Sequence, residues 1–213
     1  MVPGFDYPRP ANGAHIAQLG PFRRGQVAQD FPPDIQPDAG RPFIYVSLGT
    51  LQGHRLGLLS RIAQACRHAG AQVLLSHAGC LTEDQARAIP ADWVRPFVPQ
   101  QAVLERADLC VTHAGLNTAL ECLAAGVPML AVPLTHDQPG VAARIAHCGA
   151  GLRLQPWQRS RARVAEAVRT LLADPRFRAT ARSFAAQADG WRGAAGAVDE
   201  IEAFLGPRTR ATG

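Results

Sequence analysis

The run Thr112-His113-Ala114-Gly115-Leu116-Asn117-Thr118 gathers an imidazole, a glycine, a carboxamide and hydroxyls just ahead of a helical apolar pattern. At a helix N-terminus the first backbone N–H groups lack partners and the helix dipole is positive, so this run suits a diphosphate. Capping uses the same residue types, and Asn117 or Thr118 serves that end equally well while His113 packs locally. Two further loops carry comparable groups. Ser47-Leu48-Gly49-Thr50 follows an apolar run and offers backbone N–H groups and hydroxyls to a phosphate, although Gly-Thr after a strand also makes an ordinary turn. Pro133-Leu134-Thr135-His136-Asp137-Gln138-Pro139-Gly140 sets a carboxylate beside a carboxamide, a pair that accepts from and donates to sugar hydroxyls. Asp137 also fits the N-cap of the next helix.

Other chemistries lack their residues. The chain has no G-x-x-x-x-G-K-S/T and no G-x-G-x-x-G after its first strand, so ATPase and dinucleotide-dependent dehydrogenase readings lose their usual support. His, Cys and carboxylates do not cluster at metal-site spacing. Ser47 and Ser76 lack the G-x-S-x-G setting of a hydrolase nucleophile.

These loops need a scaffold that brings them together. From Arg41 onward, short apolar runs alternate with helical patterns, the signature of a parallel sheet flanked by helices. Strands are expected at 43–48, 71–76, 93–97, 109–112, 128–132 and 151–154. Helices are expected at 56–67, 83–89, 102–106, 118–125, 140–147, 161–172, 176–188 and 194–204. The expected fold is α/β, a Rossmann-like doubly wound parallel sheet with helices on both faces. In such sheets ligands bind beyond the carboxyl ends of the strands, where the strand order reverses. Residues 1–40, proline-rich and without periodicity, read as an extended linker segment, 41–206 as the domain and 207–213 as a tail.

With 213 residues, 47% of them hydrophobic, the chain can bury one substantial core. It has neither a long apolar run nor a signal-peptide pattern at its N-terminus, which reads as cytoplasmic. The five cysteines include no C-x-x-C and read as free thiols, mostly buried. The net charge of +5 comes from 22 basic residues that are all Arg and are scattered without an aromatic-interleaved stripe, so a nucleic-acid partner is not expected. A modest positive field still favours an anionic ligand.

Taken together, the segment from Phe97 to Gln138 resembles the donor-binding signature of the UDP-dependent, GT-B-fold family 1 glycosyltransferases. The matching elements are the aromatic-x-Pro-Gln start at Phe97, the Thr-His-x-Gly-x-Asn-Thr core, Glu121, the run Gly126-Val127-Pro128-Met129 and the closing Asp137-Gln138. Phe5-Asp6-Tyr7-Pro8-Arg9-Pro10 and Leu19-Gly20-Pro21 look like that family's interdomain linker, and Val46-Ser47-Leu48-Gly49-Thr50 like the opening strand of its C-terminal domain. Asn117-Thr118-Ala119-Leu120-Glu121 and the stretch from Asp137 to Arg144 most resemble bacterial enzymes of the zeaxanthin glucosyltransferase and macrolide glycosyltransferase type. Leu116 stands where plant relatives carry Trp.

The resemblance implies a role for each matched residue. Phe97 stacks on the uracil and the backbone of Val98 reads the base edge. Gln100 and Glu121 bond the ribose hydroxyls, which favours UDP over dTDP. His113, Gly115, Asn117 and Thr118 hold the diphosphate with help from Thr50, and Asp137 and Gln138 grip the sugar, which in the family is usually glucose. The expected partner is a UDP-sugar that is itself the donor substrate, with no cofactor and no metal. The family's general base is a His near the start of the N-terminal domain, and this chain begins at the linker. His15 has no carboxylate at suitable spacing to replace that base, and His54 and His136 read as solvated loop residues. The leading expectation is the donor half of a glycosyltransferase for a small lipophilic acceptor such as a carotenoid or macrolide. It awaits an N-terminal acceptor domain or a partner subunit, and any peripheral membrane contact belongs to the full enzyme. A donor-binding subunit of a split enzyme and a non-catalytic nucleotide-sugar-binding module are the alternatives.

Overall fold

The computed structural model describes residues 2, 4–7, 19–20 and 29–205. Among these residues, six parallel strands form one sheet: β1 (Phe43–Ser47), β2 (Gln72–Ser76), β3 (Trp93–Arg95), β4 (Leu109–Thr112), β5 (Met129–Ala131) and β6 (Gly151–Arg153), in the order β3-β2-β1-β4-β5-β6. The chain winds outward from β1 through β2 to β3, then returns to place β4 against the free side of β1. The reversal in strand order therefore lies between β1 and β4.

Strand alternation sends successive side chains into two separate layers. Phe43, Tyr45, Leu74, Cys110 and Met129 enter one layer, with α4 (Gln100–Leu104), α5 (Leu116–Ala124), α6 (Gln138–His147) and α8 (Pro175–Ala185) over it. Ile44, Val46, Val73, Leu75, Val111 and Leu130 enter the other, under α2 (Leu56–His68) and α7 (Arg161–Ala173). Helices on both faces make the sheet doubly wound, as the full burial of β1, β2, β4 and β5 requires. The short α1 (Gly49–Gln52) and α3 (Glu83–Arg87) lie at the sheet's carboxyl side, and α9 (Gly193–Leu205) closes the described chain.

Where boundaries differ from the sequence reading, local chemistry explains it. The third strand stops at Arg95, because Pro96 has no N–H to continue the ladder, and so Phe97 lies in a loop. Helix α4 starts directly after Pro99, ahead of the expected Ala102. Helix α1 has too few residues to show any period.

The described parts of the first forty residues, turns and bends among them, pack on the domain. Val2, Phe5 and Ile35 are buried in the α4–α5–α6–α8 layer, where burying Phe5 alone stabilises by about 2 kcal/mol. Asp6 accepts from Arg144 Nε on α6 at 2.8 Å, and Phe31 meets the Phe43 ring edge-on. His15 and 207–213 lie outside the described residues. Cys66, Cys110 and Cys122 are buried free thiols, while Cys80 and Cys148 are half-buried. Among the described residues no helix is long and apolar enough to cross a membrane.

Candidate functional site

Four strands end level with one another. Ser76, Ser47, Thr112 and Ala131 are register partners across β2, β1, β4 and β5, so small side chains form a shelf at the carboxyl edge and the loops leave from the same height. The loops are conformationally unusual. Gly49 has φ +72° after β1, Ala78 has φ +54° after β2, Ala114 has φ +65° after β4, and His136 has φ +57° after β5. Left-handed backbone costs a non-glycine residue about 1 kcal/mol or more, and such strain gathers where a loop must present groups to a ligand.

His113 occupies the strand-order reversal. A β-carbon built on Gly49 would lie 2.5 Å from its Cε1, and one on Gly115 would lie 2.5 Å from its Nε2, so two glycines form the slot that holds the imidazole. Its Nδ1 lies 3.5 Å from Thr112 Oγ1. Burial pushes the imidazole below its ordinary 6.5, outweighing the opposite pulls of the Ser47 carbonyl and the Asp137 charge. Folded His113 is accordingly neutral at pH 7.

The N-cap position of α5 is Gly115, and no side chain caps this helix. Asn117 and Thr118 lie inside its first turn, so neither does the capping work that is the alternative explanation for their presence. The residues of that first turn line a cleft of 520 Å³. Thr50, Phe97, Val98, Gln100, His113, Gly115, Asn117, Thr118 and Asp137 all line it.

On one flank, Phe97 is 68% exposed, with its ring against Gly79. Gln100, at the start of α4, donates through Nε2 to Glu121 Oε2 at 2.5 Å and to Thr118 Oγ1 at 3.4 Å. Glu121 and Gln100 also line an adjoining cavity of 480 Å³ with Gln29, Gln101 and Val98.

On the other flank, Asp137 stands at the N-cap position of α6 but its carboxylate makes no capping bond and is exposed. Gln138 behaves differently from its neighbour. It is buried, and its Oε1 accepts from the N–H groups of Leu134 at 2.8 Å and Thr135 at 2.9 Å, folding the loop around itself. Arg159 braces the same loop by donating to the Pro133 carbonyl. His54 and His136 are exposed and are not among the residues lining the cleft.

Sequence reasoning overlooked Tyr45, Gln52, Ser76 and Ala78. Tyr45, Ser76 and Ala78 line the cleft, and Gln52 ties two of its loops by donating to Thr135 Oγ1 at 3.2 Å. Ser76, like Ser47, is a hydroxyl that closes an apolar run, a signal that was there to read. Among the described residues no three His, Cys, Asp or Glu side chains gather as a metal site.

Comparison with known proteins agrees on one family. Residues 2–185 match the model described as "UDP-glucoronosyl and UDP-glucosyl transferase". The zeaxanthin glucosyltransferase of Pantoea ananas is 39% identical over 180 residues, which make up 83% of this chain and 42% of that protein. The solved structure of CalG4, the calicheamicin glycosyltransferase, superposes with a TM-score of 0.72 at 31% identity, over 81% of this chain and 46% of that one. The glycosyltransferase VinC, solved in complex with DTDP, superposes with a TM-score of 0.65 at 28% identity, over 80% of this chain and 43% of that one. The chain thus spans somewhat under half the length of these relatives.

Proposed function

Since the chain belongs to the UDP-glucoronosyl and UDP-glucosyl transferase family, we propose that its cleft binds a UDP-sugar, with glucose as the sugar. The observation that carries the reading is the uncapped start of α5 beside His113, at the strand-order reversal, with the Gln100–Glu121 pair joining α4 to α5 on its flank. The diphosphate lies against the first turn of α5, with Thr50, His113, Gly115, Asn117 and Thr118 around it. The base stacks on Phe97 and is read by the backbone of Val98. Gln100 and Glu121 take the ribose, and Asp137 takes the sugar from a loop that Gln138 holds in shape.

Glycosyl transfer builds negative charge on the departing diphosphate, so N–H groups and an imidazole fixed at that position stabilise the transition state more than the ground state. The remaining requirement is a base to deprotonate the acceptor hydroxyl. We assign that base to an acceptor domain or partner subunit that completes the enzyme, with a small lipophilic alcohol as acceptor. The domain functions in the cytoplasm, where sugar nucleotides are at hand.

Calorimetric titration of the chain with UDP-glucose, UDP and dTDP tests the reading. The expected result is micromolar to low-millimolar binding of the uridine ligands, weakened about tenfold or more by His113→Ala and by Glu121→Ala. A folded chain that binds none of the three ligands overturns it.

A further inference from the structure

Tyr45 sits in the middle of β1 with 2% of its surface exposed, its ring in the layer beneath α4 and α5 and its hydroxyl at the cleft floor. The hydroxyl donates to Gln100 Oε1 at 3.1 Å, and Ser47 and Ser76 line the cleft beside it. Gln100 points its Nε2 at Glu121 Oε2. A carboxylate only accepts, so the amide edge facing Glu121 must be the NH₂. The carbonyl edge is thereby turned toward Tyr45, which supplies the single proton it needs.

We propose that Tyr45 is a positioning residue that sets the ribose selectivity of this site, acting through Gln100; the inference rests on the UDP-sugar reading above. With the phenol present, Gln100 has one stable orientation and braces Glu121 by Oε2, leaving the carboxylate directed at a vicinal diol. Without it, the amide carbonyl has no donor beneath it, and a flip would set carbonyl oxygen against carboxylate oxygen. The loss falls on the contact that distinguishes a 2′-hydroxyl from a 2′-hydrogen. The base contacts at Phe97 and Val98 and the diphosphate contacts at His113, Gly115 and Asn117 are made by other residues and stay in place. Burial pushes the phenol's own ionisation far up, so it stays a proton donor throughout the working pH range.

The test compares UDP with 2′-deoxy-UDP on the whole chain. Wild type is expected to prefer UDP by about tenfold, and Tyr45→Phe to reduce that preference to about twofold with deoxy-UDP affinity nearly unchanged. Gln100→Leu, which leaves the phenol in place, is expected to give the same reduced preference, and Tyr45→Phe added to it to change nothing more. A Tyr45→Phe chain that weakens both ligands equally, keeping the ratio, overturns the proposal and marks Tyr45 as a packing residue. Should Tyr45→Phe fail to fold, an undiminished preference in Gln100→Leu overturns it. Wild type that binds UDP and deoxy-UDP equally overturns this selectivity and leaves the donor-site reading standing, whereas wild type that binds neither overturns both.

Discussion

The imidazole of His113 and the backbone of Gly49 touch so closely that any β-carbon at position 49 would come within 2.5 Å of Cε1. The two residues follow neighbouring strands, β4 and β1, and their contact is where the sheet's two halves meet. Position 49 is doubly restricted, since its φ of +72° is also one that L side chains rarely adopt.

Gly49→Ala is therefore expected to displace the imidazole as well as strain the turn. The left-handed backbone alone costs about 1 kcal/mol. UDP affinity should fall at least tenfold, beyond what the lowered melting temperature explains. Gly57→Ala is the control, because its helical position has open space for a β-carbon and should raise stability slightly. If Gly49→Ala binds UDP as wild type does, the contact between the loops has no part in ligand binding.

The sheet was legible because each strand is a short apolar run ended by a change of character. Strand β4 lies at Leu109–Thr112 as expected, bounded by Asp108 and His113. The three loops were legible because Gly, Asn, Thr and Asp have little reason to follow a buried strand unless the chain turns or binds there. What stayed hidden depends on three-dimensional partners. Tyr45 reads as one more core residue until Gln100 arrives above it from a position 55 residues later. Gln138 reads as a ligand group like Asp137 until its carbonyl is seen holding two N–H groups of its own loop. Leu48 carries the N-cap position of α1 with no capping side chain, so that helix has no sequence signal at its start.

That contrast between Asp137 and Gln138 separates two kinds of defect. Asp137→Asn removes charge from an exposed carboxylate that caps nothing, so the melting temperature should hardly move while affinity for UDP-glucose falls toward that for UDP. Gln138→Ala should leave the N–H groups of Leu134 and Thr135 without their acceptor and cost about 2 kcal/mol of stability. Parallel melts and titrations of both variants check this. Equal loss of stability in the two would contradict the assignment of one to the ligand and the other to the loop.

Protonation should act on stability and on binding with opposite signs. Burial lowers His113, and burial likewise lowers His77, so the unfolded chain takes up protons at higher pH than the folded one. Stability is then expected to fall as pH drops below about 6.5, while UDP-glucose affinity rises over the same range because a diphosphate favours the imidazolium. Binding at about pH 6 should take up protons, seen as a dependence of the binding enthalpy on the buffer's ionisation enthalpy. His113→Gln should abolish that uptake and keep the part of the stability loss that belongs to His77. A buffer-independent enthalpy for wild type would remove His113 from the diphosphate's surroundings.

Helix α9 ends the described chain with an apolar side turned to solvent. Val198, Ile201 and Leu205 are spaced to share one face and are 52%, 58% and 68% exposed, and Phe204 beside them is 87% exposed. A row of that kind on a helix is energetically costly in water and is normally covered by another domain or chain. In isolation the chain is expected to self-associate as concentration rises. Replacing Val198, Ile201 and Leu205 with Gln should abolish association in sedimentation velocity runs without lowering the melting temperature, since these side chains bury little against the rest of the domain. UDP binding should survive, because α9 contributes no residue to the cleft. A wild-type chain that stays monomeric at every concentration would mean that the exposed row does not drive association.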